Sequence, residues 1–117
     1  MHSIPDDFDY SMFKDKRLDT VTFAEFVVYL QFDDGPLVSI ESSYAYKTAP
    51  SEPEHNEEAP ISLSSLTRLV GQIVRSAETT DESDMVLYFD EGRYIKINHD
   101  YHYEAYRIEF HGQDIIV

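Results

Sequence analysis

The sequence predicts an α+β domain: a mainly antiparallel β-sheet made of two related hairpin units, with one principal short helix packed on it. Three observations carry this expectation. Val28, Leu30 and Phe32 alternate with Val27, Tyr29 and Gln31, the period of a strand whose two faces meet different surroundings. The stretch FDDGPLVSI, Phe32 to Ile40, is written again as FDEGRYIKI, Phe89 to Ile97, at a constant offset of 57. Finally, ISLSSLTRLVG places Leu63, Leu66, Leu69 and Val70 on one helical stripe, with Ser62 as N-cap and Gly71 just past the end.

Taken along the chain, Ile4, Phe8 and Met12 lie four residues apart after Pro5, which predicts a short helix with Asp6 and Asp7 in its first turn. The first hairpin unit spans about residues 18–47. Its turn is Asp34-Gly35, a pair able to take the positive φ of a tight hairpin, and Pro36 places the returning strand at an edge or bulge. Residues 48–60, with three prolines, four glutamates and almost no large apolar group, read as a mobile acidic loop, because they cannot bury enough surface to offset the entropy of ordering. Residues 61–117 hold the helix and the second hairpin unit: strands over Gln72–Glu78, Met85–Phe89, Tyr94–Ile97, Glu104–Phe110 and Ile115–Val117.

The repeat preserves parity as well as spelling. Leu30 matches Leu87, Phe32 matches Phe89, Gly35 matches Gly92 and Ile40 matches Ile97. A shift of one residue turns a strand inside out, so the shared register predicts two hairpins giving the same face to one core. Phosphate binding by the two glycine turns is disfavoured by their acidic flanks.

A chain of 117 residues suits one domain, and 42% apolar with 27% charged residues suits a globular one. No apolar run is long enough for a membrane helix, and MHSIPDDFDY is not a secretory signal. The absence of cysteine excludes disulfides and thiolate metal sites and fits a reducing cytoplasm. Nine Lys and Arg against 23 Asp and Glu leave a formal charge of −14. That field repels nucleic acid and anionic membranes and attracts basic proteins.

Candidate chemistry is sparse. His99, Asp100, His102 and Glu104 form a local polar run, but on an extended chain His99 points away from the other three, so no metal and no cofactor are expected there. No serine sits in a G-x-S-x-G elbow. With Val28, Leu30, Phe32, Met85, Leu87 and Phe89 inward, Tyr29, Tyr88 and Tyr94 face outward, either as a shared contact surface or as a layer beneath the helix. The turn acids Asp33, Asp34, Asp90 and Glu91 complete the expected partner-binding set.

The second half, LTRLVGQIV, MVLYFDEGRYIKI and DYHYEAYRIEFHG, resembles a family of small bacterial domains of unknown function. Leu66, Leu69, Gly71, Leu87, Phe89, Asp90, Gly92, Tyr103, Glu104 and Ala105 carry the match, with Tyr106 where an aromatic, commonly Trp, is expected. The resemblance implies fold and supplies no catalytic residues. A looser similarity, in size and acidity, is to the immunity proteins of bacterial toxin systems. It implies a cytoplasmic, non-enzymatic protein that occludes the basic active-site cleft of a toxin. The alternatives are a small enzyme or ligand-binding domain with a pocket between sheet and helix, using His99, His102 and Glu104, and a homo-oligomeric structural module joined through its tyrosine face.

Overall fold

In the computed structural model, residues 9–58, 65–100 and 105–117 are described. Their strands, in chain order, are β1 (Leu18–Phe23), β2 (Val28–Phe32), β3 (Leu37–Ile40), β4 (Ser43–Lys47), β5 (His55–Glu58), β6 (Ser76–Thr79), β7 (Met85–Tyr88), β8 (Tyr94–Ile97), β9 (Tyr106–Phe110) and β10 (Gln113–Ile116). All strand pairings are antiparallel. They build two five-stranded sheets, ordered β1-β2-β3-β9-β10 and β5-β4-β8-β7-β6.

The repeated stretch forms β2-β3 in the first sheet and β7-β8 in the second, and the register is the same in both. Val28 pairs Ile40 and Leu30 pairs Val38, while Met85 pairs Ile97 and Leu87 pairs Ile95. All eight side chains are fully buried in one core shared by the two sheets. The turns match as well: Asp34 and Gly35 have φ of 57° and 81°, Glu91 and Gly92 have 59° and 78°. In each hairpin three residues, 33–35 and 90–92, connect the last bonded pair, Phe32 with Pro36 and Phe89 with Arg93, and positive φ at the second and third of them lets the chain reverse.

Equivalence extends across the described residues. A 3-10 turn and five strands (Tyr10–Met12, then β1 to β5) are followed by a second 3-10 turn and five strands (Leu66–Leu69, then β6 to β10). Each half keeps its first three strands in one sheet and sends its last two into the other: β9 pairs with β3, and β4 pairs with β8. Tyr106 is therefore opposite Ile40, and Tyr44 opposite Ile97. The halves meet at the Arg17–Ile73 bridge. Around it the Leu18 N–H donates to the Gln72 carbonyl at 2.9 Å and the Val74 N–H to the Lys16 carbonyl at 2.8 Å. Outside these, Gly71 donates to Leu18 at 2.7 Å and Asp15 to Val74 at 2.8 Å. This is a local two-fold relation written in backbone hydrogen bonds.

The expectation of one principal helix is corrected. Among the described residues there are only the two 3-10 turns; Ser62 and Leu63 of the expected helix lie outside them. Leu66 and Leu69 are buried, but Val70, extended at ψ 132°, is 41% exposed. A spacing of three places two leucines on one side of a 3-10 turn as well as of an α-helix, so two core contacts need no longer element. The N-terminal helix is likewise replaced over Tyr10–Met12 by a single 3-10 turn, capped by the Asp9 carboxylate accepting from the Ser11 N–H at 2.9 Å; Ile4, Asp6, Asp7 and Phe8 lie outside the described residues.

The segment 48–60 is not a loop throughout, since His55–Glu58 forms the edge strand β5 on β4. Its residues are polar, but pairing with β4 satisfies the backbone, and the His55 ring stacks on Tyr46 with centroids 5.0 Å apart. The expected strand over Gln72–Glu78 starts later, at Ser76, because Gln72 and Val74 bond to the 15–18 segment instead. A third tight turn, His111-Gly112 with φ of 49° and 82°, joins β9 to β10. Among the described residues no helix is long and apolar enough to cross a membrane.

Candidate binding surface

The inward parity of Met85 and Leu87 turns Tyr88 to the outer face of the second sheet, and that of Ile95 and Ile97 does the same for Tyr94. Tyr88 and Tyr94 are direct cross-strand partners, their ring centroids 6.4 Å apart. Lys47 lies beside Tyr94 on β4, and Lys96 beside Val86 on β8. Each tyrosine hydroxyl donates to a carboxylate: Tyr88 to Glu78 at 2.5 Å, and Tyr94 to Glu54.

These contacts fix the protonation of the pair. The hydrogen bond to Glu78, then partial burial, raises the Tyr88 hydroxyl above the ordinary tyrosine range. Partial burial, then Glu54, pushes the Tyr94 hydroxyl up to about 12. A phenol beside a carboxylate keeps its proton, since losing it would put two negative charges side by side. The result is an aromatic ridge with an acid at either side, both acids retaining acceptor capacity toward solvent.

Tyr29 does not belong to this surface. It faces outward as expected, but from the first sheet, over a shallow depression of about 160 Å³ lined by Ser39, Glu41, Arg107 and Glu109. The positions equivalent to Tyr88 and Tyr94 there are Gln31 and Leu37, so the two outer faces differ in chemistry although their backbones correspond.

The turn acids are not equivalent either. Asp90 is held by Arg75 in a two-pronged contact, Nε to Oδ1 at 3.0 Å and Nη2 to Oδ2 at 3.1 Å, which keeps its carboxyl below the usual range. Glu91 lies 3.2 Å from Arg93, whose Nε donates to the Thr48 carbonyl. Asp33 and Asp34 are exposed. The charge of Asp33 helps raise the pKa of Arg17, which bonds Asp19 first.

Of the polar run considered for a metal, His102 and Glu104 lie outside the described residues. The His99 N–H donates to the Asp84 carboxylate at 2.7 Å, and Lys96 stands 3.8 Å from the same carboxylate. These contacts offset the burial of Asp84, a residue left only 7% exposed. Among the described residues no cluster of His, Asp or Glu is arranged to hold a metal ion. A groove of about 410 Å³ lies between the Asp34-Gly35 and His111-Gly112 turns, with Glu109 and Asp114 on its wall.

Glu54 and Glu78 were not among the expected contact residues. Glu78 was within reach of the pattern, since it pairs Val86 on β7, one step diagonal from Tyr88. Glu54 was not, because it precedes a strand that the polar composition of its segment conceals.

The profile of a family of unknown function, DUF6188, matches residues 11–117, and the chain belongs to that family. No curated protein matches the chain, and no solved structure does.

Proposed function

We propose that this member of DUF6188 is a non-enzymatic acidic binding protein, specifically an immunity protein that occludes the basic active-site cleft of a cognate toxin with the outer face of its second sheet. The observation that carries the reading is the Tyr88–Tyr94 pair flanked by Glu78 and Glu54. Tyrosines held by hydrogen bonds bring contact area with little rotamer entropy left to lose, which is the character of residues that dominate interface energetics. The flanking carboxylates suit lysine and arginine side chains, and the net charge of −14 accelerates encounter with a basic partner.

The face equivalent to it on the first sheet carries Gln31 and Leu37, so the aromatic ridge is a feature of one side and not a by-product of the repeat. The test is to sequence the neighbouring genes and co-express the chain with a toxin domain encoded there, whose absence also counts against the reading. The native chain restores growth, and the double substitution Tyr88→Ala with Tyr94→Ala abolishes the rescue while leaving the urea midpoint near that of the native chain. Failure of the native chain to protect, or full protection by the double variant, overturns the reading.

A further inference from the structure

The two sheets leave four edge strands, β1, β10, β5 and β6, and these are not alike. Glu57 on β5 pairs Tyr44 and so shares its core-facing side, a charge that discourages further pairing. β6 carries Glu78 and runs into a turn containing Asp81 and Glu82. β10 carries Asp114 at its centre. On β1, by contrast, the acid Asp19 sits at the irregularity near the start, and beyond it Thr20, Val21, Thr22 and Phe23 run uncharged, all of them good strand formers. Phe26, 69% exposed and the most exposed large apolar side chain among the described residues, stands in the turn that follows.

The hydrogen-bond alternation shows which backbone groups of β1 face outward. Ala24 N–H donates to the Val27 carbonyl, so that pair is of the closely bonded kind, and so are Thr22 with Tyr29 and Thr20 with Gln31. The groups of Val21 and Phe23 therefore point away from β2, and among the described residues no strand other than β2 pairs with β1. At the beginning of the strand, past the irregularity between Leu18 and Thr20, the outward groups of Leu18 are already taken by Gly71 and Gln72. The open edge is thus confined to two residues' worth of donors and acceptors, enough for one short strand.

We propose that the Val21–Phe23 edge accepts an extended, basic segment of a partner protein as an additional antiparallel strand, with an apolar residue of that segment against Phe26. Backbone pairing supplies the register, and charge selects the partner: Glu25 stands just past the end of the edge on a chain of net charge −14, while Asp19 near its start is paired with Arg17. The same charge disfavours a second copy of this chain, since two bodies of −14 each would have to meet edge to edge. The proposal is independent of the Tyr88–Tyr94 face, which belongs to the other sheet.

The test uses the full chain and a fluorescein-labelled peptide of alternating lysine and valine, beside the same peptide N-methylated at alternate amides. Expected is saturable binding of the first, weakened at least tenfold by N-methylation, together with slowed exchange of the Val21 and Phe23 amides. Val21→Pro, which removes an outward N–H that has no partner strand, should weaken binding to a similar degree. Equal binding of both peptides, or protection at β5, β6 or β10 instead, overturns the proposal without any substitution in the protein. A dimer seen in sedimentation and lost in Val21→Pro, with no peptide binding, assigns the edge to a second copy and overturns it too.

Discussion

The Tyr106 hydroxyl donates to the Ser83 carbonyl at 2.8 Å, tying β9, which lies in the first sheet, to the turn between β6 and β7 of the second. Tyr106 is 1% exposed, and Ser83 sits at φ 64°, a left-handed conformation that side chains rarely adopt. Replacing Tyr106 with Phe keeps the ring and removes the bond. The variant should lose about 1 kcal/mol, the usual net worth of one such hydrogen bond, read as a lower urea midpoint with an unchanged slope.

Alkaline titration separates the tyrosines. Tyr94 should ionise near pH 12, and Glu54→Gln should bring that step back toward the ordinary value of about 10. Tyr106 is raised as well, by burial first and then by the charge of Asp84. Because these hydroxyls hold their protons more tightly folded than unfolded, the stability they contribute is complete below about pH 10 and falls as pH rises above it. Ultraviolet absorbance of phenolate, followed alongside circular dichroism, checks both the order and the sign.

Exchange of the closing hairpins predicts the behaviour of a cut chain. Each half supplies two strands to the other's sheet, so cleavage by a protease site placed between β5 and the Leu66–Leu69 turn should leave the halves together. On size-exclusion chromatography the cut protein should elute with the intact one and separate only in denaturant. Elution as two small species in native buffer would contradict the topology.

The two hairpin glycines should respond alike to alanine. Both adopt positive φ, which costs a side chain about 1 kcal/mol. At Gly92 a new Cβ meets open space, and at Gly35 it reaches ordinary van der Waals contact with the Phe110 ring at 3.4 Å. Gly92→Ala and Gly35→Ala should therefore each lose about 1 kcal/mol, from backbone conformation alone, measured by thermal or urea unfolding.

Local order was the part legible in the sequence. Strand parity around Leu30 and Leu87, and the positive-φ pairs at Asp34-Gly35 and Glu91-Gly92, follow from residue type and a period of two, and the structure has them. The assignment of β4 and β9 to opposite sheets was not legible, because nothing within either strand states which neighbour it will take. β5 escaped for a related reason: it is held by what it pairs with rather than by its own composition. The leucine stripe misled through the coincidence of an i, i+3 spacing with the period of the 3-10 turn. At the binding surface, outward parity was right for Tyr29, Tyr88 and Tyr94. Their membership of one face was not, since Tyr29 belongs to the other sheet.

The Arg17–Ile73 bridge marks the axis about which this chain repeats itself. Had the same architecture been assembled from two identical short chains, any residue placed on one exterior would recur on the other, and a tyrosine ridge would be presented twice. Carried on a single polypeptide, the exteriors can be edited separately while the interior stays matched. That freedom is what allows a nearly symmetric body to have a front and a back.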